Sequence, residues 1–73
     1  MKAGYVTIKG SYHLPDYGDY TGYGLACHTE DNCIRIIPDI STDAAFVEAM
    51  AHRFNAGQLS PIHFLDAIID CIL

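Results

Sequence analysis

Apolar and polar positions alternate in the first half of the chain and recur at helical spacing in the second. Over residues 3–12, Tyr5, Thr7, Lys9 and Ser11 fall on one side and Val6, Ile8, Gly10 and Tyr12 on the other. Period two marks a half-buried strand, because successive side chains point to opposite faces. Val6 and Ile8 are the side expected to face the core. Residues 13–20 hold Pro15, Gly18 and two aspartates and predict a loop. Alternation returns over 21–28, with Tyr23, Leu25 and Cys27 sharing one face and Gly22, Gly24, Ala26 and His28 the other. Thr29–Asn32 is a polar turn. Residues 33–37 predict a third strand, Ile34 and Ile36 inward and Arg35 opposite, ended by Pro38, which has no N–H to give to a ladder.

The spacing then lengthens. Ser41 or Thr42 is placed to cap a helix, with Asp43 favoured by its dipole. Phe46, Val47, Met50 and Phe54 form its apolar stripe. Gly57 is expected in the left-handed conformation that closes many helices. Ser60-Pro61 opens a second helix as cap and first position. Its apolar positions are Ile62, Phe64, Leu65, Ile68, Ile69, Ile72 and Leu73, broken chiefly by His63, Asp66 and Asp70. The short Gly57–Ser60 connection predicts an antiparallel helical hairpin, and Ala45 and Ala49 would let its helices approach closely. The expected architecture is one α+β domain over residues 1–73. It is a three-stranded antiparallel meander followed by a helical hairpin packed on one face, in the order βββαα.

Composition narrows the function classes. The chain has 73 residues, 51% of them apolar and 18% charged, too apolar for a disordered acidic tail and too short for a Rossmann unit or a barrel enzyme. Its formal charge of −5, with only 4 lysines and arginines, argues against nucleic-acid binding, since so few cations cannot neutralise many phosphates. No apolar stretch reaches the roughly 18 residues of a membrane span, and no secretory h-region is present. Three cysteines are a poor disulfide framework and fit free thiols in a reducing cytoplasm.

Each candidate constellation meets a geometric objection. Cys27 and His28 are neighbours in a strand and point to opposite faces, which excludes a thiolate–imidazole dyad. An even-length turn sets Cys27 against Ile34 or Ile36, with Cys33 on the other face, so no Cys27–Cys33 bridge is expected. In one register His28 faces Cys33, half of a tetrahedral zinc site, with His13 the nearest spare ligand. His63, Asp66 and Asp70 share a helical face, as do Glu48 and His52; both read as solvated surface. Tyr12, Tyr17, Tyr20 and Tyr23 among glycines suggest a stacking platform, but Asp16 and Asp19 lie where a base-binding surface needs cations. The glycines either flatten one sheet face or admit a close backbone.

The run Pro38-Asp39-Ile40-Ser41-Thr42-Asp43, then Phe46-Val47-Glu48, Asn55, Gln58-Leu59-Ser60-Pro61-Ile62-His63, Asp66 and Asp70 resembles a family of short bacterial proteins catalogued only as a domain of unknown function. Tyr23-Gly24 fits it loosely. The resemblance implies a complete small protein and carries no activity, cofactor or catalytic residue.

These readings point to a non-enzymatic protein-interaction module that self-associates, without cofactor, nucleic acid or membrane. The alternative is a small-ligand or metal-binding protein using the Tyr/Gly face with His13, His28 and Cys33. The apolar second helix carries the first reading. With Ile62, Leu65, Ile69 and Ile72 turned to the core, Phe64 and Ile68 are the interface candidates left over for a homodimer.

Overall fold

The computed structural model describes residues 3–30 and 32–73, Cys33 and Ile34 by their backbone alone. Strands β1 (Gly4–Leu14), β2 (Gly18–His28) and β3 (Cys33–Ser41) form an antiparallel sheet in the order β1-β2-β3. Helix α1 (Ala44–Ala56), a 3-10 turn (Pro61–His63) and helix α2 (Phe64–Ile72) follow. The meander-then-helices architecture is the one expected. No helix among the described residues is long and apolar enough to cross a membrane.

The expected loop over 13–20 shrinks to Pro15–Tyr17. Leu14 pairs with Gly18, and the Leu14 carbonyl accepts the Tyr17 N–H at 3.1 Å. Pro15 suits the second position of such a turn, and Gly18, at φ 82°, supplies the left-handed residue that rejoins the strands. His13, Asp19 and Tyr20 are therefore strand residues.

The period of β1 is as expected but its inward face is reversed. Tyr5 pairs with Cys27 and Thr7 with Leu25, so the odd-numbered residues join the core face of β2. Tyr5 is 2% exposed and Val6 45%. The tyrosine ring packs 5.6 Å from Phe54 and 5.2 Å from Phe64 between centroids, and its hydroxyl donates to the Leu59 carbonyl at 2.6 Å. A tyrosine buries more area than a valine when its one polar atom finds a partner, and hydropathy alone misranks the two.

β3 runs past Pro38. Leu25 pairs with Ile37 but Tyr23 with Ser41, so the intervening residues bulge outward, with Asp39 at φ 53°. Proline is tolerated at such an irregularity on an edge strand. A second shift, between Cys27 and His28, sets Cys27 against Arg35 instead of Ile34 or Ile36. One residue of slip exchanges the faces of a strand: Ile37 packs against the core and Ile36 is exposed. The expected inward position of Ile34 lies outside the described side chains.

Asp43, not Ser41 or Thr42, caps α1. Its Oδ1 accepts from the backbone N–H of Ala45 at 3.0 Å and Phe46 at 3.4 Å, while Ser41 Oγ accepts from the Asp43 N–H. Val47, Met50, Ala51 and Phe54 are buried; Phe46, Ala45 and Ala49 are exposed, so the two alanines do not make a helix–helix seam. Gly57 is right-handed at φ −85°, and the left-handed residue is Gln58 at φ 51°. The Leu59 N–H reaches the Phe54 carbonyl at 3.0 Å and the Gln58 N–H that of Asn55 at 3.2 Å, the paired bonds of a Schellman ending with Gln58 at the position glycine usually takes. Ser60 makes no side-chain cap, and Pro61 starts the 3-10 turn.

α2 is turned away from its expected orientation. Phe64 and Ile68, the expected outward pair, are 0% and 2% exposed, with Ala67 and Cys71 half-buried beside them. Phe64 completes an aromatic trio with Tyr5 and Phe54, its ring 6.4 Å from Phe54. A small core gains most from the largest side chain, and flanking Ala67 and Cys71 let that ring approach.

Candidate functional site

The outer face of the sheet carries the tyrosines and glycines. β1 presents Val6, Ile8, Gly10 and Tyr12 there, and β2 presents Tyr20, Gly22, Gly24 and Ala26. The Tyr12 ring lies over Gly10, where a Cβ would come within 2.6 Å of its hydroxyl. It packs 5.5 Å from the Tyr20 ring. Tyr20 donates to Asp39 Oδ2 at 2.5 Å, and this hydrogen bond raises the Tyr20 phenol above its usual range. The Asp39 carboxylate occupies the space a side chain at Gly22 would need, and the Ile37 carbonyl with Pro38 does the same at Gly24. The close backbone these glycines admit is thus the chain's own bulge. Of the four tyrosines only Tyr12 and Tyr20 meet; Tyr17 is exposed at the hairpin turn and Tyr23 lies on the other face.

The candidate metal ligands do not converge. His28 pairs with Cys33 across β2 and β3, and its ring lies against Gly4. His13 sits at the opposite end of the β1–β2 ladder, paired with Asp19 through Nδ1 at 2.8 Å. At about 3.3 Å per residue, the stretch of β1 from Gly4 to His13 separates them by about 30 Å. Ser11, Tyr12, His13, Asp19, Tyr20 and Thr21 line an open hollow of about 370 Å³ around the His13 end. Among the described residues no three histidines, cysteines or carboxylates gather to hold a metal ion. Cys27 is buried in the core while His28 is exposed, as strand alternation requires. Cys27 and Cys71 are free thiols; the Cys33 thiol lies outside the described side chains. His63, Asp66, Asp70, Glu48 and His52 are all exposed, and His63 belongs to the 3-10 turn instead of the helix.

Two features escape sequence reasoning. Burial, reinforced by a hydrogen bond to Cys27, pushes the Tyr5 phenol up to about 12. Asn55, near the end of α1, grips the β1 backbone at the same residue: Oδ1 accepts the Tyr5 N–H and Nδ2 donates to the Tyr5 carbonyl, each at 2.8 Å. An asparagine near a helix end has many ordinary roles, so no sequence signal marks this one.

Among the described residues, an uncovered apolar feature lies on the outer flank of α2 and the turn before it. Ile62 is 82% exposed, Leu65 38%, Ile69 41% and Ile72 54%. Leu65, Ile69 and Ile72 follow at four and three residues, which keeps them on one stripe of α2, and Ile62 is exposed in the turn before it. They are the positions expected in the core, and the rotation that buries Phe64 and Ile68 brings them out. No match to a curated protein or to a solved structure is found. The chain does match one family model along its whole length, residues 1–73, and so belongs to the family of unknown function DUF6514.

Proposed function

We propose that this protein is a non-enzymatic protein-interaction module that self-associates through the outer stripe of α2. One observation carries the reading: Leu65, Ile69 and Ile72 lie exposed along one flank of α2, with Ile62 exposed in the turn before it, while the other flank is in the core. Four aliphatic side chains at these exposures leave an apolar patch open to water. Patches above roughly 300–600 Å² are uncommon on monomers, and a standard interface buries about 800 Å² per partner. A second copy brings an identical stripe, so a twofold pairing covers both at once. It also adds burial to a chain whose size leaves little core. The free thiols of Cys27 and Cys71 support a reducing, cytoplasmic setting.

Sedimentation equilibrium across a wide concentration range tests the reading. The wild type is expected to associate, and Leu65→Asp/Ile69→Asp to lose the α2 contact and fall to a lower mass while keeping its circular dichroism. A wild type that stays monomeric at every concentration, or a variant that associates as before, overturns it.

A further inference from the structure

The sheet has two edges, and they are treated differently. β3 carries Pro38, two register shifts and an outward bulge, all features that discourage a further strand. β1 is regular along all 11 of its residues, with no proline and no shift against β2. At Tyr5 its outward N–H and carbonyl are bound by the Asn55 amide, the pair of hydrogen bonds a neighbouring strand would make. Strand alternation turns the same groups of Thr7, Lys9, Ser11 and His13 outward. Among the described residues nothing bonds them, and Lys9, Ser11 and His13 are exposed. The free edge is therefore residues 7–13, closed at one end by Asn55 and at the other by the turn at Pro15.

We infer that this edge pairs antiparallel with the same edge of a second copy, about a twofold axis at Gly10, to make a continuous six-stranded sheet. The limits of the edge select the register. Pairing centred on Gly10 sets Thr7 against the partner's His13 and Lys9 against the partner's Ser11, so every free outward group is used. The partner's Pro15 then falls where Asn55 begins. On the outer face Ile8 stands opposite the partner's Tyr12, and Gly10 meets the partner's Gly10 at the closest spacing of the ladder. Centring on Lys9 sets two lysines face to face. Centring on Ile8 collides with Asn55, and centring on Ser11 leaves Thr7 against the turn. Lys9 thus acts against wrong registers and admits this one. Paired residues share a face, so both helical layers lie on the same side of the joined sheet and both α2 stripes stay free. This contact goes beyond the one proposed for α2: either alone yields a dimer, and the two together carry the mass past a dimer.

Ser11→Pro tests it. Proline there removes an outward N–H that β2 does not use, and Gly10 before it has no Cβ to clash. Sedimentation equilibrium should place the wild type above a dimer and Ser11→Pro at a dimer. Leu65→Asp/Ile69→Asp should also stop at a dimer, and the combined variant should be a monomer. If the α2 variant keeps the wild-type mass while Ser11→Pro loses association, the edge contact stands and the α2 reading falls. Ser11→Pro with unchanged mass overturns the edge contact. Should Ser11→Pro fail to fold, amide exchange on the wild type decides. The Thr7, Lys9, Ser11 and His13 amides should slow to the rates of Ile8, Gly10 and Tyr12 at high concentration and quicken on dilution. Fast exchange of the four at every concentration overturns the inference.

Discussion

The central strand β2 is covered on both faces, by opposite means. Towards the helices it offers Leu25 and Cys27, both fully buried, against Tyr5, Phe54, Phe64 and Ile68. Towards the other side it offers Gly22, Gly24 and Ala26, also buried, with no helix over them. The first face is filled by large side chains brought from distant elements. The second is filled because its residues have almost no side chains, so the Ile37–Asp39 bulge and the Tyr12 ring settle directly on the backbone. Burial therefore does not require an apolar side chain at the buried position. On the helix face it comes from volume supplied; on the outer face it comes from volume withheld, and neither face tolerates the other's residues.

Four tests follow from this contrast. The largest effect is expected at the aromatic trio. Phe64→Ala should lower stability by about 3–5 kcal/mol in urea unfolding, since it empties the centre of the core, while Ile69→Ala on the exposed flank should cost less than about 1 kcal/mol in the monomeric state. Equal losses at the two positions would mean that α2 is turned the other way. Next is the withheld volume: Gly24→Ala places a Cβ into the Ile37 carbonyl and Pro38 backbone, which cannot rotate aside, and should cost about 3 kcal/mol. A neutral Gly24→Ala would show that the bulge does not rest on β2.

The third test is alkaline. Tyr5 holds its proton up to about 12 in the folded chain, against 10.0 ordinarily. The folded state binds the proton more tightly, so the stability it contributes is complete below pH 10 and is lost as pH rises from there towards 12. Thermal melts should fall over that window, and Tyr5→Phe should flatten the fall while losing the bond to Leu59. A Tyr5→Phe melt curve parallel to the wild type through the window would detach the effect from Tyr5. The smallest effect concerns the end of α1. Gln58→Gly relieves a left-handed side-chain residue and should raise stability by about 1 kcal/mol. No gain would mean that the Gln58 side chain offsets its own backbone cost.

Local rules were enough for the parts of this protein that depend on neighbours in sequence. Alternation over 3–12 and 21–28 places two strands, and Pro15 with Gly18 places the reversal between them. The 46–54 stripe places α1, while Ser60-Pro61 marks only the 3-10 turn that leads into α2. Strand alternation also separates Cys27 from His28 without any structure. What these rules cannot supply is the choice among faces that are all partly apolar. Val6/Ile8 and Tyr5 compete for the inside of β1, and only the Leu59 carbonyl, 54 residues away, makes burying a phenol favourable. Phe64/Ile68 and Leu65/Ile69 compete on α2, where nearly every position is apolar and hydropathy points in no single direction. The aromatic partners Tyr5 and Phe54 decide it. The candidate site moves with that decision, from Phe64 and Ile68 to Ile62, Leu65, Ile69 and Ile72. The sequence by itself determined which segments are strands and helices, because their periods are set by backbone geometry. Only the tertiary structure decided which side of each is buried, because that depends on the shape and unpaired polar atoms of elements far along the chain.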